Sequence, residues 1–256
     1  MRAFIAFIKK EIYDSVRSGR ALILIILFTI FGVMNPAIAK LTPWLLDTLS
    51  ESMAESGITV SQVSVSALDS WVQFFKNIPM ALIAFILIEG GIFTKEYVSG
   101  TLILSLTKGL SRSTVVLSKA SLLLCEWTCL YWLCFGITYG YNAYYWDNGA
   151  AKYLVFSVFA WWLFGVLTVA LTVLCSALAG SFSEVLLGTG GAVILSYVIG
   201  FIPKAKEFVP TFLTDGSSLI YGVRSAEDYA GAVVVTLSLA AILIISAFPV
   251  FNKKKL

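Results

Sequence analysis

The chain of 256 residues contains no histidine. That removes Ser-His-Asp and Cys-His catalysis, histidine-ligated metal and zinc-dependent proteolysis within a membrane. Charge is scarce as well: Asp, Glu, Lys and Arg make up 13% of the residues, against about a quarter in ordinary soluble proteins. No GxxxxGK[ST] loop occurs, and no GxGxxG follows a strand-like run, so no nucleotide-binding loop can be read in the chain. The four cysteines, Cys125, Cys129, Cys134 and Cys175, sit in apolar runs without CxxC spacing. They read as small, polarizable packing residues. Cys125 and Cys129 share a helix face at i, i+4, which implies no bond.

What is present is apolar: 59% of residues are hydrophobic, with a mean hydropathy of +0.89. The apolar residues fall into six blocks, at about 21–40, 77–95, 117–140, 152–178, 185–203 and 230–251. A helix needs about 20 such residues to cross a bilayer core of about 30 Å. The fold class is therefore an all-α polytopic membrane protein with six transmembrane helices, the whole of 1–256 forming one membrane domain. The first block is too long and starts too late for a cleavable signal peptide, and no small-residue cleavage site follows it.

Lys and Arg divide unevenly between the two sides that six spans create. Arg2, Lys9, Lys10, Arg17, Arg20, Lys95, Lys108, Arg112, Lys119 and Lys253 to Lys255 make twelve on one side, and six lie on the other. Acidic residues such as Asp147, Glu207, Asp215, Glu227 and Asp228 fall on the second side. The basic side is the cytoplasmic one by the positive-inside rule, which places both termini in the cytoplasm. Residues 1–20 read as an amphipathic interfacial helix, with Phe4, Ile5, Ile8, Ile12 and Val16 at helical spacing and cations toward anionic headgroups. Residues 41–76 and 204–229 read as extracytoplasmic loops. The second is too apolar for a solvated loop and too rich in breakers (Pro203, Pro210, Gly216) for a span, so two short re-entrant helices are expected between spans five and six. Trp44, Trp71, Tyr144, Tyr145 and Trp146 read as interfacial anchors. Gly188, Gly190 and Gly191 read as points of close helix approach.

Two carboxylates fall inside spans. Glu89 follows Ile83 to Ile88, and Glu126 stands among Leu124, Cys125, Trp127 and Cys129. A charge at that depth must be paired, protonated or open to water. Glu89 is expected either to reach the interface, Lys95 or Lys119, or to line the translocation path. Glu126 is expected to make an interior polar contact or to bind substrate or a proton. No basic partner for either is apparent within a membrane run.

The stretch between the second and third spans is a charged, glycine-marked insert. It reads Glu96-Tyr97-Val98-Ser99-Gly100-Thr101-Leu102, then Leu104, Leu106, Leu110-Ser111-Arg112 and Lys119. It resembles the signature of ABC-2-type transporter permeases, in which E-x-x-x-G-T-L leads through a short amphipathic helix to a P-[ILV]-[ST]-R turn and a Lys opens the next span. The six spans, the N-terminal interfacial helix and the outer re-entrant segment resemble that family too. Lys108-Gly109 departs from it, standing where many members carry proline.

The resemblance implies that 96–116 is a cytoplasmic coupling segment resting in a groove of a separate ATPase subunit, two copies of which bind ATP and Mg²⁺. Glu96, Gly100, Thr101, Leu102, Leu104, Leu106, Leu110, Ser111 and Arg112 would form the coupling site, with Lys108 as a further polar contact. Phe182 and Glu184, between spans four and five, would form a smaller contact. Six spans are half the usual twelve, so a second copy or a related permease is implied, in a prokaryotic plasma membrane. Nothing points to nucleic acid. An export subunit for peptides, lipids or hydrophobic drugs is the resulting expectation. The rival expectations are a proton-driven carrier using Glu89 and Glu126, an accessory factor without transport of its own, and an intramembrane enzyme.

Overall fold

The computed structural model describes residues 2–54, 65–107 and 109–254, so Lys108 and Lys255 lie outside it. Every regular element among them is helical. In chain order the α-helices are α1 (Arg2–Arg17), α2 (Arg20–Ala54), α3 (Ala67–Glu89), α4 (Thr94–Ser99) and α5 (Thr101–Thr107). They continue with α6 (Arg112–Tyr145), α7 (Leu154–Leu178), α8 (Phe182–Ile199), α9 (Gly216–Ile220) and α10 (Ala230–Lys253). Six of the described helices are long and apolar enough to cross a membrane. They match the six apolar blocks in order, with one difference of extent. The helices α2 and α3 run on to Ala54 and back from Ala67, so much of 41–76 is helical rather than loop.

The span helices are apolar around most of their circumference, as a lipid-embedded bundle requires. Most enclosed is α7, with 67% of its apolar window buried, and α8 is least so, with 11%. Large aromatics fill the centre: Phe28 and Phe85 meet Trp127 edge to face, and Tyr131 lies tilted beside it. Buried indole and phenol groups need acceptors, and the Trp127 ring N–H donates to the Trp162 carbonyl while the Tyr131 hydroxyl donates to that of Val158. Gly165 on α7 makes this possible, because a Cβ there would lie 2.1 Å from the Trp127 ring. Gly188 serves α7 and α8 in the same way, its missing Cβ leaving room for Cys175 Sγ, whereas Gly190 and Gly191 face open space.

Trp71 is not an interfacial anchor. It is fully buried, packs on Phe74 and Phe135, and donates to the side-chain oxygen of Asn148. Trp44 and Tyr144 do stand exposed. Residues 204–229 form one five-residue α-helix and three 3₁₀ turns in place of two helices. Phe212, Leu213, Leu219 and Ile220 are buried there, Trp161 donates to the Thr214 carbonyl, and Tyr229 donates to that of Asp215. The backbone of 209–220 is thus largely buried against protein, as a membrane environment demands, while 201–208 and 221–223 are mostly exposed.

Substituting Gly165→Ala should lower thermal stability by about 1–3 kcal/mol, the usual penalty of overpacking. The same change at Gly191 should be neutral or slightly stabilising, since alanine favours helix. Melting curves of the two variants in detergent test the contrast.

Candidate coupling site

The charged insert folds as α4 and α5, two short helices joined at Gly100. This glycine has φ 67°, a left-handed conformation that ends α4 and redirects the chain. A second reversal occurs at Gly109, with φ 91°. Proline cannot take that angle, so this chain makes its turn by a route closed to a proline-bearing sequence. Ser111 then caps α6, its hydroxyl accepting from the Thr114 N–H at 3.2 Å.

Arg112, the next residue, turns inward. Its guanidinium donates to the carbonyls of Phe251 at 2.9 Å, Asn252 at 3.2 Å and Lys254 at 2.6 Å, closing the C-terminus of α10. Lys254 does the same for α7, donating to the Ala177, Leu178 and Ala179 carbonyls, and its ammonium lies 4.1 Å from the centre of the Tyr97 ring. Tyr97 donates in turn to the Ser176 carbonyl at 3.2 Å. Orphan carbonyls at helix ends are natural acceptors for cations. The insert, the end of α7 and the end of α10 therefore meet at one end of the bundle, together with α1.

Glu96 lies at the centre of that end. Its carboxylate pairs with Lys10 at 2.5 Å and with Lys119 at 3.0 Å. Glu11 of α1 pairs with the same two lysines, at 2.9 Å and 3.0 Å. The Lys119 ammonium is wholly buried, donates to the Ile92 carbonyl at 3.0 Å, and sits between the rings of Phe7 and Phe93. Burial opposes the charge of Lys10, but hydrogen bonds and attraction from Glu96 and Glu11 outweigh it and raise its pKa above the usual lysine range. A raised lysine pKa gives stability that is fully present through neutral pH and lost only as pH rises through the raised value.

The intramembrane carboxylates belong to the same construction. Glu89, 1% exposed, pairs through Oε2 with Arg20 at the start of α2, at 2.5 Å, and makes no ion pair with Lys95 or Lys119. Glu126 accepts from the hydroxyl of Ser15 on α1 at 3.0 Å. Both are thus tied to the N-terminal segment. The helix α1 presents Phe7, Glu11 and Ser15 inward at i, i+4, i+8, all buried, while Ile5, Ile12, Tyr13 and Val16 are exposed on its outer side. Part of its polar stripe is spent on the protein, and the apolar stripe is left for lipid. That i, i+4 repeat of Glu11 and Ser15 was the available signal for the missing partners, with Arg20 beside it.

The remaining residues of the expected site divide by exposure. Leu102 is 1% exposed, and Leu106 and Leu110 pack partly buried on the core. Thr101 is exposed, its hydroxyl 2.9 Å from that of Ser99. Exposed apolar groups on the insert are Val98 at 85%, Leu104 at 62% and Ile103 at 47%. Phe182 turns its ring onto Gly90 and Gly91. Glu184 caps α8, accepting from the Gly180 N–H at 2.8 Å and the Ser181 hydroxyl at 2.9 Å. The motif residues Glu96, Gly100, Leu102, Ser111 and Arg112 therefore hold the insert to the bundle, and the surface it offers lies on the residues between them.

An all-helical bundle of six apolar helices, with a helical insert clamped to its basic end, defines a multi-pass membrane protein of the permease type. The model of the family described as "ABC-2 family transporter protein" matches residues 5–256, and the chain belongs to that family. It is the transmembrane permease subunit of an ABC transporter, a component without an ATPase domain of its own that works with an ABC ATPase subunit. No curated protein and no solved structure matched the chain.

Replacing Arg20 with Leu leaves Glu89 buried without its partner and should destabilise the protein by about 3–5 kcal/mol. Adding Glu89→Gln to that variant should recover much of the loss, and thermal unfolding of the single and double variants measures it. Arg112→Glu should cost about 1–3 kcal/mol through the lost charge-assisted bonds to the end of α10. Limited proteolysis at residues 251–254 should report that fraying.

Proposed function

We propose that this subunit exports amphipathic or hydrophobic molecules (peptides, lipids or drugs), driven by two ATPase chains that dock on α4 and α5. The observation that carries the reading is the exposed apolar trio Val98, Ile103 and Leu104 at the basic, aqueous end of the bundle. They lie on the two short helices of the charged insert, between the apolar blocks of the second and third spans, where exposed apolar groups suit a protein contact. The coupling site is then this trio with Thr101, backed by Gly100, Leu102, Leu106, Leu110 and Ser111. Glu96 and Arg112 act by fixing the orientation of the insert, and Phe182 and Glu184 by bracing the α7–α8 corner against it.

The excess of Lys and Arg on this end supports a cytoplasmic location for both termini, and the half-size, six-span architecture suits a prokaryotic cell membrane. ATP and Mg²⁺ are bound by the partner, and a second copy of this chain or a related permease completes the pathway. An apolar cleft of about 350 Å³ between α3 and α8, lined by Ile83, Ile86, Leu186 and Val193 among others, supports a hydrophobic cargo. Neither Glu89 nor Glu126 lines it, and their contacts with Arg20 of α2 and Ser15 of α1 favour a structural role over a proton path.

Leu104→Asp should abolish copurification of the ATPase subunit while leaving membrane insertion and melting temperature unchanged. Leu102→Asp should lower stability first, because that side chain is in the core. Normal ATPase association by the Leu104→Asp variant would sink the docking site. Uptake into inside-out vesicles that follows a proton gradient without ATP would sink the exporter itself.

A further inference from the structure

A cleft of about 330 Å³ opens where α1, the start of α2 and the insert meet. Its charges fall into two sets. Lys10 and Lys119 are shared among three carboxylates, those of Glu11, Asp14 and Glu96, so this set carries surplus negative charge. Arg20 is matched by Glu89, and Lys95, which also lines the cleft, makes no ion pair among the described residues, so the second set carries surplus positive charge. Exposed hydroxyls of Ser99 and Thr101 complete the lining.

We propose that this cleft binds the headgroup of a zwitterionic phospholipid bearing a primary amine, a phosphoethanolamine group. The phosphate meets Lys95 and Nη2 of Arg20, whose Nη1 and Nε donate to Glu89 and the Ser18 hydroxyl, with the hydroxyls of Ser99 and Thr101 as further donors. The ammonium, with N–H groups to give, meets Asp14 and Glu96. A choline headgroup has no N–H to donate, and a glycerol headgroup has no cation to meet the surplus carboxylate. A lipid is favoured over a free phosphoester by what surrounds the cleft. The outer side of α1 exposes Ile5, Ile12 and Val16, and α2 exposes Leu22, Ile23, Ile26 and Ile30 immediately after Arg20. Acyl chains anchored at Arg20 would run along that apolar face, with the headgroup at the depth where the interface lies. The proposal rests on the chain spanning a bilayer; Thr101 borders both this cleft and the proposed docking face, so the headgroup is held chiefly by Lys95, Arg20 and Asp14.

The test is retention of lipid by the purified full-length chain through delipidation, read by native mass spectrometry after equilibration with phosphatidylethanolamine, phosphatidylglycerol and phosphatidylcholine in equal parts. Phosphatidylethanolamine should be held several-fold over both others. Lys95→Ala should reduce its retention several-fold with little change in melting temperature, since Lys95 makes no ion pair among the described residues. Asp14→Asn should shrink the preference over phosphatidylglycerol while keeping total lipid bound. Equal retention of the three lipids, or unchanged retention by Lys95→Ala, would overturn the site. Displacement of the lipid by soluble phosphoethanolamine at equal concentration would overturn the lipid source, and a crosslinker at residue 95 that captures the ATPase subunit instead of lipid would assign the cleft to protein.

Discussion

The ammonium of Lys119 has no access to solvent, and the arrangement of the basic end depends on matching that charge. An unpaired buried cation costs several kcal/mol, so the sequence must bring carboxylates to it from elsewhere. One comes from α1 as Glu11 and one from α4 as Glu96, while Phe7 and Phe93 offer their ring faces. Pairing Lys119 therefore seats the N-terminal helix and the insert on α6 in a single step. Lys10 then ties the two carboxylates to each other on the outer side.

The same requirement acts at the next level into the membrane. Glu89 and Glu126 would each be costly alone, and each is answered from the N-terminal segment, by Arg20 and Ser15. Arg20 thus joins α2 to α3, and Ser15 joins α1 to α6. Under the proposed docking, a push on the insert reaches α1 and α6 through Glu96 and its lysines, and the ends of α7 and α10 through Tyr97 and Arg112. The insert is coupled to the spans because its charges are theirs.

Composition and apolar length already specified the six spans and their order, since each span must individually satisfy the bilayer. The tally of Lys and Arg grouped α1, the insert and the chain end on one side, and the contacts of Arg112, Lys254 and Lys10 place them together. Inward or outward facing was less legible. Trp71 has the composition of an interfacial anchor and is core, because α3 begins a full ten residues before its apolar run and carries the indole inside. Phe182 has the composition of a docking anchor, and the small Gly90-Gly91 turn draws it inward. Leu102 and Leu104 are chemically alike and two residues apart, but 100° of rotation per helical residue separates a core residue from an exposed one.

The sequence alone determined that this chain lives in a bilayer, how many times it crosses, and which segment resembles a coupling element, because hydropathy and a local motif are properties of contiguous residues. Only the tertiary structure decided what the motif residues do. Glu96 lies 86 residues from Lys10, and Arg112 lies 139 from Phe251, and no local pattern announces such pairs. Charges brought into a low-dielectric setting take whichever partner the packing delivers. The conspicuous residues of the insert thereby became its fastenings, leaving Val98, Ile103 and Leu104 as the face it turns outward.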